Sequence, residues 1–207
     1  LTTDRKLRLA ERLPMLEQVT FQARLGSYRA KSLRMRRLAG WLAQQWGLGE
    51  GERAAAEQAA ELAKCDLTTD LVKEFPELQG IMGGHYARAE GVSEAVAQAI
   101  ADQYAWEIPP RSVVGAAVSL ADKFDTIAGM FAIGEIPSGS ADPFGLRRQG
   151  NGIVRTLIER KLKLSLGAAL QQALAGYAEI GLRELPAATG EFFKERLSFY
   201  LRDSAGL

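Results

Sequence analysis

The sequence predicts an all-α protein of about nine or ten helices. Alternation of apolar and polar residues with a period of two, which is typical of a half-buried strand, is nearly absent. Apolar residues instead recur every three to four positions, as on one face of a helix. Of the 207 residues 47% are apolar, which is enough for a substantial core. A chain of this length forms one large domain or two small ones.

The first half of the chain contains helical patterns separated by stop signals. An apolar pattern over residues 4–25 is interrupted by Pro14, because proline lacks the backbone N–H that a helix interior requires. A helix is expected from Ser27 to Trp46, where Gly47 ends it. Its buried stripe consists of Met35, Leu38, Leu42 and Trp46. Further helices are expected at about 53–65, up to Phe75, after Pro76 and from Ser93.

The second half of the chain contains the most apolar helix, "SVVGAAVSLADKFDTIAGMFAIG", which we expect at the centre of the fold. It carries two carboxylates, Asp122 and Asp125, and burying a charge is costly unless the charge is paired. After the loop "EIPSGSADP", Asp142 and Pro143 predict the start of another helix. Two more amphipathic helices are expected near 168–183 and 188–203.

Composition excludes several classes of function. The 26 Lys and Arg residues balance 25 Asp and Glu residues, so a nucleic-acid partner would have to meet a local basic patch. His85 is the single histidine and Cys65 the single cysteine, which argues against a zinc or iron hydrolase site and against a catalytic triad. We find no membrane-spanning run and no signal peptide. Because the chain opens on Leu1 in a charged stretch, we expect a segment of a longer protein.

Three stretches together resemble one known family. They are "VTFQARLGSYRAKSLRMRRLAGWLA" (19–43), "AAELAKCDLTTDLVKEFPELQGIMGGHYA" (59–87) and "LADKFDTIAGMFAIGEIPSGSADPFGLRRQGNGIVR" (120–155). In this order and spacing they resemble the β subunit of the bacterial two-subunit (α2β2) glycyl-tRNA synthetase. The resemblance covers essentially the whole chain and is strongest over 59–155.

The resemblance implies a central HD-like helical domain over residues 27–207, with residues 1–26 as a helical lead-in from the preceding domain. In the family the α subunit activates glycine and charges the tRNA with ATP and Mg²⁺, whereas the β subunit contributes tRNA binding and assembly. The chain is therefore expected to be a cytoplasmic part of a glycine–tRNA ligase that is not catalytic by itself and holds no cofactor. Its implied partners are tRNA(Gly), the α subunit and the other β-subunit domains. The alternatives are a protein-docking module without RNA contact and a metal-dependent HD phosphohydrolase.

The same resemblance implies a degenerate metal pocket. Active HD proteins bind metal with a His, an adjacent His-Asp pair and a distant Asp. Aligning "AAELAK" with that pair places Ala63 and Lys64 at its two positions, and Asp122 at the distant Asp. With Asp66 nearby, the pocket keeps too few ligands for a metal. We expect Lys64 or Lys123 to neutralise its carboxylates.

"LRRQGNGIVR" is the first candidate RNA-binding segment. Arg148, Gly152 and Arg155 fall at i, i+4 and i+7, so one helix face presents two guanidinium groups beside a bare patch, with Arg147 at its edge. Guanidinium groups can hold a phosphate with two hydrogen bonds. In the structural alternative, the glycines allow close helix packing and the arginines pair with Asp142 or Glu159.

"YRAKSLRMRR" is the second candidate segment. Lys31, Arg34 and Arg37 recur on one face of the predicted helix, and such a stripe can neutralise several phosphates. The alternative is an ordinary solvated helix face. The loop "AWEIPPRS" is shorter than its counterpart in the family and lacks the proline usual after the tyrosine, so a contact made by that loop in relatives need not be made here.

Overall fold

The structure, a computed structural model, describes residues 3–204 and confirms the all-α prediction. The strands of the described residues are β1 (Thr20–Gln22) and β2 (Gly26–Ser27), which form a two-stranded antiparallel ribbon. The α-helices of the described residues are α1 (Tyr28–Gln45), α2 (Glu50–Leu62), α3 (Asp70–Glu74), α4 (Ile81–Ala89), α5 (Glu94–Asp102), α6 (Val113–Ala132), α7 (Leu146–Glu159), α8 (Leu166–Ala175) and α9 (Ala188–Ser204). No helix within residues 3–204 is both long and apolar enough to cross a membrane.

The chain divides into two compact units. The first contains the described residues up to Tyr104 together with Pro110–Asp122. The second contains Ala105–Pro109 and the described residues from Lys123 onward. Helix α6 contributes its first half to one unit and its second half to the other, and it is buried from Val114 through Phe131, as its apolar composition predicts. A domain boundary at residue 26 stays a prediction.

The N-terminal segment of the first unit is a 3₁₀ helix rather than a broken α-helix. It runs over Leu9–Gln18 and includes Pro14, whose missing N–H is incompatible with a regular α-helical interior. The buried Arg12 fastens this segment, because its guanidinium donates to the carbonyl oxygens of Asp4 at 2.6 Å and Thr68 at 3.3 Å. Charge-assisted hydrogen bonds to the main chain therefore hold this segment in place.

Small residues allow close helix packing in the first unit. Ser27 begins α1 by accepting a hydrogen bond from the N–H of Ala30, as an N-cap does. Ala56, Ala59 and Ala60 of α2 are fully buried. On α4, a Cβ added to Gly84 would lie 2.8 Å from the carbonyl oxygen of Ala97 in α5, so the main chains of the two helices approach closely.

Aromatic side chains form the core of the second unit. Phe124 and Phe131 of α6 pack against Phe193 and Phe192 of α9, with ring centroids 6.4 and 5.1 Å apart. The buried hydroxyl of Tyr177 donates to Asp125, whose carbonyl and carboxylate oxygens lie at 2.9 and 3.0 Å. A hydrogen bond thus accompanies the burial of this carboxylate.

Candidate functional site

Helix α7, which carries the first candidate segment, begins later than its cap residue suggests. Asp142 accepts hydrogen bonds from the N–H groups of Leu146 at 2.8 Å and Arg147 at 3.0 Å. The intervening Gly145 has φ = 61°, a left-handed conformation that glycine adopts without steric cost. Asp142 therefore caps α7 across a turn, and the helix starts at Leu146 instead of directly after Asp142.

The glycines of α7 permit close packing. A Cβ on Gly150 would lie 2.7 Å from Cε1 of Phe192, and one on Gly152 would lie 3.0 Å from Cβ of Trp106. Both glycines are buried. The bare patch expected between Arg148 and Arg155 is not open, because Trp106 covers it. This geometry agrees with the structural alternative for the glycines.

The three arginines of α7 have different surroundings. Arg147 donates to the carbonyl oxygen of Gly139 at 2.9 Å. Arg155 donates to the carbonyl oxygen of Glu107 at 2.6 Å and lies 3.5 Å from the carboxylate of Glu159. Arg148 is exposed, and its guanidinium lies 5.9 Å from the centroid of the Trp106 ring. We call Arg147, Arg148 and Arg155 the α7 arginines.

Trp106 is the residue of this surface that sequence reasoning missed. It lies in the loop Ala105–Pro109 of the second unit, against Gly152, and beside Arg148. Its signal in the sequence is a large aromatic residue in the short proline-containing loop "AWEIPPRS" between two predicted helices. Its position against α7 was not evident from the sequence, because it lies 41 positions or more from the α7 arginines.

The second candidate segment does not form one exposed basic face. Lys31 is 1% exposed and its ammonium lies 2.9 Å from Oδ1 of Asp122. Arg34 is also buried, at 8% exposure, whereas Arg37 is exposed. The expected stripe is thus divided, because the charge of Lys31 compensates a buried carboxylate. Of the three residues, Arg37 is the one that lies at the surface.

Lys64 and Asp122 meet in the interior of the first unit. The Lys64 ammonium lies 2.8 Å from Oδ2 of Asp122 and 2.8 Å from the hydroxyl oxygen of Tyr104. Burial lowers the pKa of Lys64, and the attraction of Asp122 opposes this shift. With Lys31 on Oδ1, the Asp122 carboxylate has an ammonium group on each oxygen. We call Lys31, Lys64 and Asp122 the lysine–aspartate cluster.

The other two residues of the expected pocket have different partners. The carbonyl oxygen of Ala63 accepts a hydrogen bond from the Gln103 amide at 2.7 Å. Oδ2 of Asp66 accepts from the N–H groups of Gly80 at 2.6 Å and Gly83 at 3.0 Å. Burial raises the pKa of Asp66 above its usual value, and these two hydrogen bonds oppose the rise. Oδ2 of Asp66 therefore fixes the start of α4.

These contacts bear on the chemistry that the pocket can perform. Within residues 3–204, no group of three or more His, Cys, Asp and Glu side chains is arranged to bind a metal ion. Two ammonium groups already neutralise Asp122, and positive charge beside a carboxylate opposes the approach of a divalent cation. The arrangement is that of a buried ion-pair cluster.

The second unit also carries an apolar groove of about 440 Å³ between α7, α8 and α9. Its lining is almost entirely aliphatic and aromatic and includes Val154, Leu157, Leu170 and Phe193. Ile158 and Leu197, also in the lining, are more than two-fifths exposed. Exposed apolar surface of this kind often marks a contact with another protein segment.

Comparison with known proteins identifies the family. Residues 1–206 match the family model described as glycyl-tRNA synthetase beta subunit. The glycine–tRNA ligase beta subunit of Edwardsiella ictaluri is 48% identical over 86% of this chain and 26% of its own length. Those of Haemophilus influenzae and Acidobacterium capsulatum are 44% and 49% identical over 97% and 99% of this chain, which correspond to 29% and 30% of their lengths. The chain thus spans less than a third of these relatives, and it belongs to the glycyl-tRNA synthetase beta subunit family.

Proposed function

We propose that the chain is an HD-like helical part of the glycyl-tRNA synthetase β subunit that contributes to tRNA binding and subunit architecture in the cytoplasm. It is not catalytic by itself, and the complete enzyme uses ATP and Mg²⁺ at the α subunit. Family membership supports the assignment to this subunit. The lysine–aspartate cluster supports the inactive HD pocket, because ammonium groups surround Asp122 where a metal enzyme would need further ligands.

The observation that carries the tRNA-binding role is the exposed guanidinium of Arg148 on α7. The helix has three arginines and one carboxylate, Glu159, so its local charge suits a phosphate backbone. Arg147 donates to a main-chain carbonyl oxygen, which is neutral and leaves its positive charge in place. Arg155 also donates to a carbonyl oxygen, but the carboxylate of Glu159 at 3.5 Å partly compensates its charge. Because phosphate contacts carry little sequence information, the contribution is to affinity rather than to the choice of tRNA.

The test is charge reversal in the complete synthetase. Arg148→Glu should weaken tRNA(Gly) binding several-fold and reduce the slope of log K against log salt concentration by about 1. Arg183→Glu is the matched control, because Arg183 is an exposed arginine of the same unit outside α7. Glycine activation, measured without tRNA, should be equal in both variants. Unchanged tRNA affinity and salt slope in Arg148→Glu would refute the proposal.

The apolar groove favours a second candidate function, docking of another part of the β subunit. Relatives contain more than twice as much additional sequence as this chain covers, and an apolar segment of that sequence would bury the exposed Ile158 and Leu197. A photo-crosslinking amino acid at Leu197 of the complete synthetase tests this. Crosslinks to other β-subunit segments would support docking, whereas crosslinks to tRNA or none at all would contradict it.

A further inference from the structure

We infer that Trp106, together with Arg148, forms a stacking site for an unpaired nucleotide of the bound RNA. The inference rests on the proposed tRNA-binding role and adds to it the class of nucleotide and the side chain that contacts its base. It involves the loop Ala105–Pro109 and α7, which both lie in the second unit.

The loop that carries Trp106 contacts α7 at two consecutive residues. Gly152 lies so close that an added Cβ would be 3.0 Å from Cβ and 3.2 Å from Cα of Trp106. The next residue, Glu107, accepts the 2.6 Å hydrogen bond from Arg155 through its carbonyl oxygen. Pro109, which ends the loop, is buried. An aromatic ring held in this way loses little conformational entropy on binding a ligand.

The indole ring is anchored without being buried. Trp106 is 37% exposed, so a large apolar surface remains in contact with water. The guanidinium of Arg148 at 5.9 Å from the ring centroid is within the range of a cation–π interaction, which orients both groups. An aromatic ring beside a guanidinium is the combination that binds single-stranded nucleic acid, because the base stacks on the ring and the phosphate pairs with the charge.

The surrounding charge favours a nucleotide over an apolar peptide. Arg147, Arg148 and Arg155 lie on α7 and Arg160 directly follows it, against the carboxylates of Glu107, Asp142 and Glu159. The balance is still positive. A paired base in an A-form helix does not offer its face to a side chain, so the occupant is a nucleotide of a loop, a bulge or a single-stranded end. The chemistry recognised is therefore an exposed base face with an adjacent phosphate.

The experiment compares tRNA(Gly) binding by variants of the complete synthetase. Trp106→Leu should weaken binding by about 5- to 150-fold, which corresponds to the loss of one stacked base. Its salt slope should be unchanged, because no charge is removed. Trp106→Phe keeps a ring and should bind within a few-fold of the unmodified enzyme. Phe199→Leu is the matched control, because Phe199 is an aromatic residue of the same unit with 46% exposure, and it should have no effect.

Photo-crosslinking provides a readout that does not depend on a variant. In tRNA(Gly) substituted with 4-thiouridine, the crosslink to the peptide containing Trp106 should map to an unpaired position. Equal affinity of Trp106→Leu, or a crosslink to paired positions, would overturn the stacking site while leaving the proposed function intact if Arg148→Glu still weakens binding. If Arg148→Glu is also without effect, the proposed function itself fails. A Trp106→Leu defect in subunit assembly with normal tRNA affinity would reveal a protein contact and overturn the inference.

Discussion

The ammonium of Lys64 donates to Oδ2 of Asp122 at 2.8 Å, while Lys31 lies 2.9 Å from the other carboxylate oxygen. Both lysines are 1% exposed. The carboxylate is therefore the shared partner of two buried positive charges. Removing it takes this carboxylate partner from both lysines, whereas removing one lysine leaves the carboxylate with the other.

Loss of Asp122 is therefore predicted to destabilise the fold more than loss of Lys64. Asp122→Ala should lower the free energy of unfolding by about 3–5 kcal/mol, because breaking a buried ion pair strands a charge in a low dielectric. Lys64→Met should cost less, since Lys31 still neutralises Asp122. Urea titration measures the free energy of unfolding of both variants. Arg36→Met is the control, because the more exposed pair of Arg36 with Glu61 should contribute less than about 1 kcal/mol. A larger loss in Lys64→Met than in Asp122→Ala would contradict the cluster.

Asp66 is predicted to act as a hydrogen-bond acceptor rather than as a charge. Asp66→Asn keeps an oxygen for the N–H groups of Gly80 and Gly83 and should change the free energy of unfolding by less than about 1 kcal/mol. Asp66→Ala leaves both N–H groups buried without their acceptor and should cost about 2–4 kcal/mol.

The pH dependence of Asp66 gives a second test. Since burial raises its pKa above 3.8, the folded state binds the proton more tightly than the unfolded state. The contribution of Asp66 to stability is therefore present at low pH and is lost as the pH rises through the raised pKa. Unfolding free energies should be measured for both proteins from pH 3 to pH 8. As the pH rises, the stability of Asp66→Asn should increase relative to that of the unmodified chain. A shift in the other direction would show that the carboxylate is stabilising.

Asp4 is predicted to have the opposite pH dependence. Burial raises its pKa, but hydrogen bonds from the N–H groups of Asp70 and Leu71 and from the hydroxyl of Tyr86 outweigh burial and lower the pKa below 3.8. The stabilisation is therefore present above the unfolded-state pKa and is lost as the pH falls through the lower folded-state value. The stability difference between the unmodified chain and Asp4→Asn should shrink below about pH 4. A constant difference from pH 3 to pH 7 would contradict this.

Two glycines of the second unit are predicted to respond oppositely to alanine. Gly150→Ala should lower the free energy of unfolding by about 1–2 kcal/mol, because the new methyl group would lie 2.7 Å from the Phe192 ring. Gly190→Ala should raise it by about 0.5 kcal/mol, since the added Cβ would meet no side chain or other segment within 4 Å and α9 gains helix propensity. Thermal unfolding of both variants checks the pair. Equal effects would show that packing does not determine the requirement for glycine at position 150.

Periodicity predicted the helices well, but some charged residues that were expected at the surface are buried. Lys31 precedes Met35 by four positions and therefore lies on the same stripe as Leu38 and Leu42, which are buried. The signal for its burial was present in the spacing. A lysine was nonetheless expected in solvent, because its partner Asp122 is 91 residues away and the pairing depends on tertiary contacts.

Two other features were missed although their residues are close in sequence. Leu9–Gln18 is a 3₁₀ helix that includes Pro14, and α7 starts late because Asp142 caps it across the left-handed Gly145. Local propensity indicates that Pro14 and Gly145 disturb a helix, but it does not specify the conformation that replaces it. The contact between Trp106 and Gly152 joins residues far apart in the sequence, so it could be recognised only in the folded structure.

Main-chain groups are the partners of several charged side chains described above. Asp66 binds the N–H groups of Gly80 and Gly83, and Arg155 binds the carbonyl oxygen of Glu107. Every residue supplies a carbonyl oxygen, and every residue except proline supplies an N–H. In an alignment of the family, Asp66 and Arg155 should therefore show no covariation with their hydrogen-bonding partners. Lys64 and Asp122, which contact each other through side chains, should instead change together.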